Sequence, residues 1–235
     1  MKKILILLGL IVVANCAQSQ ILISLLLGDK LNSADLEFGL EGGVNFTQIY
    51  GFESSSNLAN LNLGFYFDIR MKDQLFLHTG LQAQSRFGLR NLTENDLEFL
   101  EAEIEDVEGK YSQKVKTFTV PILANYKFKN HMYVEAGPQF GWNYNSYVEF
   151  ESDVDNREVK IKDYNDDLLN WFNAGVAFGT GYKLLNGEGW TIGVRYYQGF
   201  TKVFKDRSGS NHNSFTIKVN IPIGVASAKH GKDLK

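Results

Sequence analysis

Between residues 117 and 144 apolar and polar side chains alternate with a period of two, and that period decides what the chain can fold into. Phe118, Val120, Ile122, Ala124, Tyr126 and Phe128 share one face, while Thr117, Thr119, Asn125 and Lys127 share the other. After Lys129, Asn130 and His131 the alternation resumes. Met132, Val134, Ala136, Phe140 and Trp142 are apolar; Tyr133, Glu135, Gly137, Gln139, Gly141 and Asn143 face the opposite way. Successive strand residues point to opposite sides, so the spacing predicts a β-hairpin with one apolar and one polar face.

The rest of the chain repeats the pattern. In 36–47, Leu36, Phe38, Leu40, Val44 and Phe46 alternate with Glu37, Gly39, Glu41, Gly43 and Asn45. In 59–70, Leu61, Leu63, Phe65, Phe67 and Ile69 alternate with Asn60, Asn62, Gly64, Tyr66, Asp68 and Arg70. In 74–89 the apolar set is Leu75, Leu77, Leu81, Ala83, Phe87 and Leu89, against His78, Gln82, Gln84 and Arg86. Runs at 171–184, 190–202 and 215–223 complete eight predicted strands. Asn186-Gly187 is a strong hairpin turn signal.

Three features turn the apolar face outward, towards lipid. Connections alternate in length: short at 71–74, 129–131 and 185–189, long at 48–58, 90–113, 150–170 and 203–213. Short turns at one end and long loops at the other mark outer-membrane barrels. Aromatic residues gather near both strand ends of the apolar face. Phe67, Tyr126, Phe128, Tyr182 and Trp190 lie on the turn side; Phe87, Trp142, Tyr144, Phe172, Phe200 and Phe215 lie on the loop side. Glycines sit mainly on the polar face, where an eight-stranded barrel leaves room only for side chains. The fold class expected is all-β: an eight-stranded antiparallel up-and-down transmembrane β-barrel with a short helix in a long extracellular loop. That helix starts at Thr93, its N-cap, with acids in the first turn and a thin stripe of Leu97, Leu100 and Ile104. Pro121, Pro138 and Pro222 fall inside expected strands, where each removes a ladder donor, and bulges are the expected remedy.

Length and charge fit this picture. The 235 residues suit one domain, and a net charge of -3 gives no reason to expect nucleic acid. Met1-Lys2-Lys3, the apolar run to Ala14 and Ala17-Gln18-Ser19 read as a signal peptide over 1–19. Cys16, the one cysteine, raises a lipoprotein alternative that Asn15 before it disfavours. Residues 20–35 form an N-terminal segment whose apolar stretch at 21–27 reads as an extension of the signal core, or as a short interfacial or mouth-covering helix. The barrel is expected over 36–225 and a polar tail over 226–235. A mean hydropathy of -0.20 does not oppose a barrel, because only alternate residues face lipid.

Five stretches carry a family resemblance. They are 37–46, 63–67, Val120-Pro121-Ile122-Leu123, Val134 to Gly141 (with Glu135, Gly137 and Pro138) and Ile221-Pro222-Ile223-Gly224. In these the chain resembles the PorT-like outer-membrane barrels of Bacteroidetes-type bacteria. The resemblance implies an eight-stranded barrel in the cell outer membrane. It supplies no catalytic residues, and the founding member's link to protein secretion does not transfer with it.

Chemistry is sparse. The polar face carries Glu37, Glu41, Asp68 and Glu135 beside Arg70, Arg86, Lys127, Lys183, Arg195 and Lys218. In a closed lumen these fill the interior as ion pairs, because buried charges need partners. His78 faces inward without a Ser or Asp at catalytic spacing; His131, His212 and His230 are expected in a turn, a loop and the tail. The run 153–158 (Asp153, Asp155, Asn156, Glu158) loosely resembles a calcium loop but lacks its glycine. No catalytic, cofactor-binding or metal site is assigned. The expected partners are outer-membrane lipid and lipopolysaccharide, and a protein at the acidic loops, chiefly 94–108. The leading function is a non-enzymatic structural, interaction or transport-associated barrel. The alternative is a lipid-modifying enzyme of acyltransferase or deacylase type.

Overall fold

The structure, a computed structural model, describes residues 33, 35–154, 157–187 and 189–223. The leader at 1–19, the stretch at 21–27, His230 and the tail at 226–235 lie outside the described residues. The strands are β1 (Leu36–Ile49), β2 (Ser56–Lys72), β3 (Leu75–Arg90), β4 (Lys110–Lys127), β5 (Met132–Val154), β6 (Arg157–Tyr164), β7 (Phe172–Lys183), β8 (Thr191–Gly199) and β9 (His212–Pro222); one short helix, α1, spans Glu94–Phe99. Eight of the strands pair antiparallel into a ring, in the order β1-β2-β3-β4-β5-β7-β8-β9, and β9 pairs back onto β1. β6 stands outside the ring and pairs with the upper part of β5.

The apolar face points outward. Leu63 is 50% exposed and Phe178 54%, whereas Glu41, Glu135 and Arg195 are 4%, 3% and 4% exposed. In water such a belt would drive aggregation; around a closed ring it is a lipid-facing band. Tyr126, Phe128, Tyr182 and Trp190 stay exposed at the turn end, and Trp142, Tyr144, Trp171, Phe200 and Phe215 at the loop end. The turns are tight for local reasons. Asp73, His131, Leu185, Asn186 and Gly187 take positive φ, so the Asn186-Gly187 signal is met.

Inside, close approach dictates glycine. A Cβ on Gly39 would lie 2.5 Å from the Tyr66 ring, and one on Gly193 2.2 Å from the Tyr133 hydroxyl. Each ring lies across a neighbouring backbone that has no side chain of its own.

The structure departs from the sequence reading in five places. An extra residue between Gln82 and Ser85 breaks the β3–β4 register and reverses parity beyond it. Phe87 and Leu89 are therefore buried inside rather than facing lipid, and Arg86 falls on the opposite face from the lumen charges. The prolines need no bulge: Pro121↔Gln139 and Ala124↔Ala136 keep one register. With both residues pointing inward from one hairpin, the sequence puts Glu37 across from Arg70; the structure instead sets Glu37 against Asp68, a shift of two residues, and Arg70 against Asp35 at 3.2 Å. The long acidic connection after residue 150 is largely strand, because β5 runs to Val154 and returns as β6. Finally, α1 ends at Phe99 and Glu101 has positive φ, which leaves Ile104 59% exposed beyond the helix.

Leu63 is central in the lipid-facing row of β2. Leu63→Arg is expected to cost about 2–4 kcal/mol, read as a lower urea midpoint in lipid vesicles. An unchanged midpoint would mean that this face does not meet lipid.

Candidate functional site

The lumen is a stack of layers, built from the inward residue of each strand. At its centre Arg195 of β8 gives Nη1 to Glu41 at 2.7 Å and Nε to Glu135 at 2.7 Å. Lys218 of β9 reaches Glu41 at 2.9 Å and Glu135 at 3.3 Å. Gln82 donates to Glu41 and accepts from Asn62 at 2.8 Å and Thr119 at 3.1 Å. His78 is wedged beside this group, with Nδ1 2.6 Å from Asp68 and Nε2 2.9 Å from Arg195. Towards the turns, Asp68 pairs with Lys127 at 2.5 Å, and Glu37 takes Lys183 and the Tyr66 hydroxyl.

Four acids (Glu37, Glu41, Asp68, Glu135) thus meet four bases (Lys127, Lys183, Arg195, Lys218). The set is neutral when His78 is the neutral tautomer that donates Nδ1–H to Asp68 and accepts from Arg195 at Nε2. Of the charges read from the sequence, Arg70 sits at the rim and Arg86 is excluded by the β3 bulge. His78 hydrogen-bonds Asp68 and Arg195 and lies 3.2 Å from Glu41; no Ser or Thr hydroxyl partners it among the described residues. No group of three or more His, Cys, Asp or Glu is placed to hold a metal ion among the described residues. At the turn end the lumen opens into a cavity of about 270 Å³ walled by Glu37, Asp68, Lys127, Tyr133 and Lys183, with His131 at its edge.

Removing Arg195 leaves two buried carboxylates with Lys218 as their one shared strong base. Arg195→Met is expected to cost about 3–5 kcal/mol in vesicle unfolding, and Arg195→Met with Glu135→Gln should recover part of it.

Above the charged layer the lumen turns apolar. His212, expected in a loop, is instead the first residue of β9, buried with its ring 4.4 Å from that of Phe87. Over it sits a hydrophobic cluster of Ile49, Leu89, Val115 and Val148 from the strands with Leu97, Leu100, Leu169 and Phe204 from the loop-side connections. Asp96 ties these loops together and was read from the sequence only as a first-turn acid. Its carboxylate accepts from the backbone of Glu53 and Ser54, both at 3.0 Å, and closes a capping box with Thr93. Arg207 lies 3.6 Å from Asp96, donates to the Gly51 carbonyl at 2.5 Å and stacks 4.2 Å from the Phe52 ring. The Thr-x-x-Asp spacing was the available signal for Asp96; nothing local marked Arg207.

Beyond the barrel, β4, β5 and β6 continue as a three-stranded sheet. Glu149 anchors it. Burial alone would push its carboxyl up, but the hydrogen bond from Lys114 and the charges of Lys114 and Lys162 outweigh burial and hold it below the usual glutamate range. A lowered carboxyl stabilises fully above its unfolded value and loses that stabilisation as pH falls through its folded value. Acidification below about pH 4 should loosen β6 before the barrel, seen as loss of β6 amide dispersion in NMR spectra that stay barrel-like.

The family comparison agrees with this architecture. Residues 17–205 match the family model described as "Outer membrane protein beta-barrel domain". No curated protein matches the sequence. Neisserial surface protein A (NspA) is similar in structure at 6% identity and TM-score 0.40, covering 79% of this chain and 96% of that one. Ail of Yersinia pestis, in complex with the heparin analogue sucrose octasulfate, aligns at 11% identity and TM-score 0.42 over 80% of this chain and 97% of that one. OprG of Pseudomonas aeruginosa aligns at 8% identity and TM-score 0.29, over 80% and 91% respectively. The chain belongs to the outer-membrane protein β-barrel domain family and is a protein of the outer membrane.

Proposed function

We propose that this barrel is a non-enzymatic interaction component that works through its loop side, with a lumen closed to diffusion. The observation that carries this reading is the double closure of the interior. A paired charge layer fills the middle, and a hydrophobic core drawn from all four loop-side connections covers the upper end. Holding four loops in one arrangement suits a recognition surface better than a passage. Glu94, Glu98, Glu101, Glu103, Asp106 and Glu108 face solvent on the longest loop, a surface fitted to a basic protein partner. Within the family, the glycine and proline stretches around Gly137-Pro138 and Ile221-Pro222 favour the PorT-like branch.

The acyltransferase or deacylase reading fares worse. Such an enzyme needs a nucleophile and base at a strand end open to lipid. His78 is instead sealed among Asp68, Arg195 and Tyr66, whose ring lies 5.6 Å away.

Two measurements test the proposal. Planar-bilayer recording of the purified barrel should show no stable single-channel steps; reproducible steps would overturn the closed lumen. The lipid A mass spectrum of a deletion strain should match the parent; a lost or gained acyl chain would revive the enzyme.

A further inference from the structure

β6 is the strand of the described chain that has a neighbour on one side only. Its other edge presents unpaired N–H and C=O groups, a template for a further strand. Natural edges are blunted by lysine, and Lys160 and Lys162 are there. Both, however, are held back by acids: Lys160 lies 2.8 Å from Glu158 and 3.6 Å from Glu151, and Lys162 lies 3.6 Å from Glu149. On the opposite face Val159 and Ile161 remain 36% exposed.

We propose that β6 pairs antiparallel with β6 of a second copy of this chain. The reason lies in its register. When a strand pairs with itself about a two-fold axis, opposed residues must lie on the same face. Their positions therefore differ by an even number, and a central pairing must centre on residue 160 or on residue 161. Centred on 161, Lys160 would meet the second copy's Lys162, and Val159 would meet its Asp163. Centred on 160, Glu158 meets the second copy's Lys162 and Val159 meets its Ile161, and each pair occurs twice. Opposite charges and β-branched pairs across strands both stabilise a sheet. The pattern extends through the parent sheet, because Glu149 already faces Lys162 and Phe150 faces Ile161 within one copy. The rows then read Glu149, Lys162, Glu158 on one face and Phe150, Ile161, Val159 on the other. The two Lys160 side chains meet on the axis, each beside its own Glu151 and Glu158.

The symmetry has a further consequence. Antiparallel edge pairing places the two-fold along the sheet normal. β4 and β5 continue the barrel wall, whose normal lies near the membrane plane. The axis therefore inverts one barrel relative to the other, so the contact joins two facing membranes. This rests on the loop-side interaction reading above and names one partner for it.

Cysteine cross-linking tests the register, in a Cys16→Ser background. Directly opposed Cα atoms lie about 4.5–5.5 Å apart, within disulfide reach. Lys160→Cys should give a disulfide dimer of the folded barrel under mild oxidation. Lys162→Cys alone should give little, because its two copies are about 13 Å apart along the strands. Mixing Glu158→Cys with Lys162→Cys chains should restore the dimer. Two differently labelled cell populations displaying the barrel should co-sediment, and Lys162→Glu should reduce this severalfold. A folded Lys160→Cys barrel that stays monomeric, or equal cross-linking at 160 and 162, overturns the pairing. Cross-linking on dispersed cells overturns the facing geometry. Failure here leaves the bilayer result untouched, whereas channel steps would sink the closed-lumen reading and leave the cross-linking result legible.

Discussion

In hydrocarbon there is no water to satisfy a backbone group, so every N–H and C=O in the membrane layer must find a partner within the protein. The β1–β9 ladder, from Gly39↔Pro222 to Ile49↔His212, meets that demand by removing the last open edge. The remaining features follow from closure. A ring of eight strands has too little interior for a water column, so its inward residues must fit one another. Polar residues face inward because lipid faces outward, and charges brought together in a narrow space must balance. The matched acids and bases around Arg195 and Lys218 are what that balance requires.

The two ends of the lumen are treated differently. The turn end keeps a polar cavity and solvent-reaching lysines such as Lys127 and Lys183. At the loop end, inward positions become apolar at Ile49, Leu89, Val115 and Val148, and loop side chains settle onto them. The change of character along single strands makes the barrel wall and the loop cap one continuous structure. Arg207 shows the economy of the cap, since one side chain contacts the Gly51 carbonyl, Asp96 and two aromatic rings from separate connections.

Much of the barrel was legible because a period of two, once anchored by Asn186-Gly187 and the turn at His131, assigns every residue a face. Glu41, Glu135, Arg195 and Lys218 were placed in the lumen on that ground alone, and they meet there. Parity is also where the reading fails, since a single inserted residue inverts the rest of its strand. No residue type announces the extra position between Gln82 and Ser85, so Phe87 and Leu89 were turned to lipid and Arg86 to the lumen. β6 is hidden in the sequence for a different reason. Val159 and Ile161 alternate correctly, but the charges between them resemble a solvated loop. The Asp96–Arg207 contact joins positions more than a hundred residues apart, and side-chain reach across loops leaves no periodic trace.

The ring's closure also governs how the molecule can come into being. Glu41 belongs to the first strand, and its cationic partners Arg195 and Lys218 lie 154 and 177 residues downstream. Until β8 and β9 arrive, that carboxylate lacks both of these cations, and until β9 arrives the first strand has an open flank. The first strand therefore cannot settle as it emerges, because it lacks what only the end of the chain supplies. Wall and charge balance are thus completed together, by the last two strands of the ring.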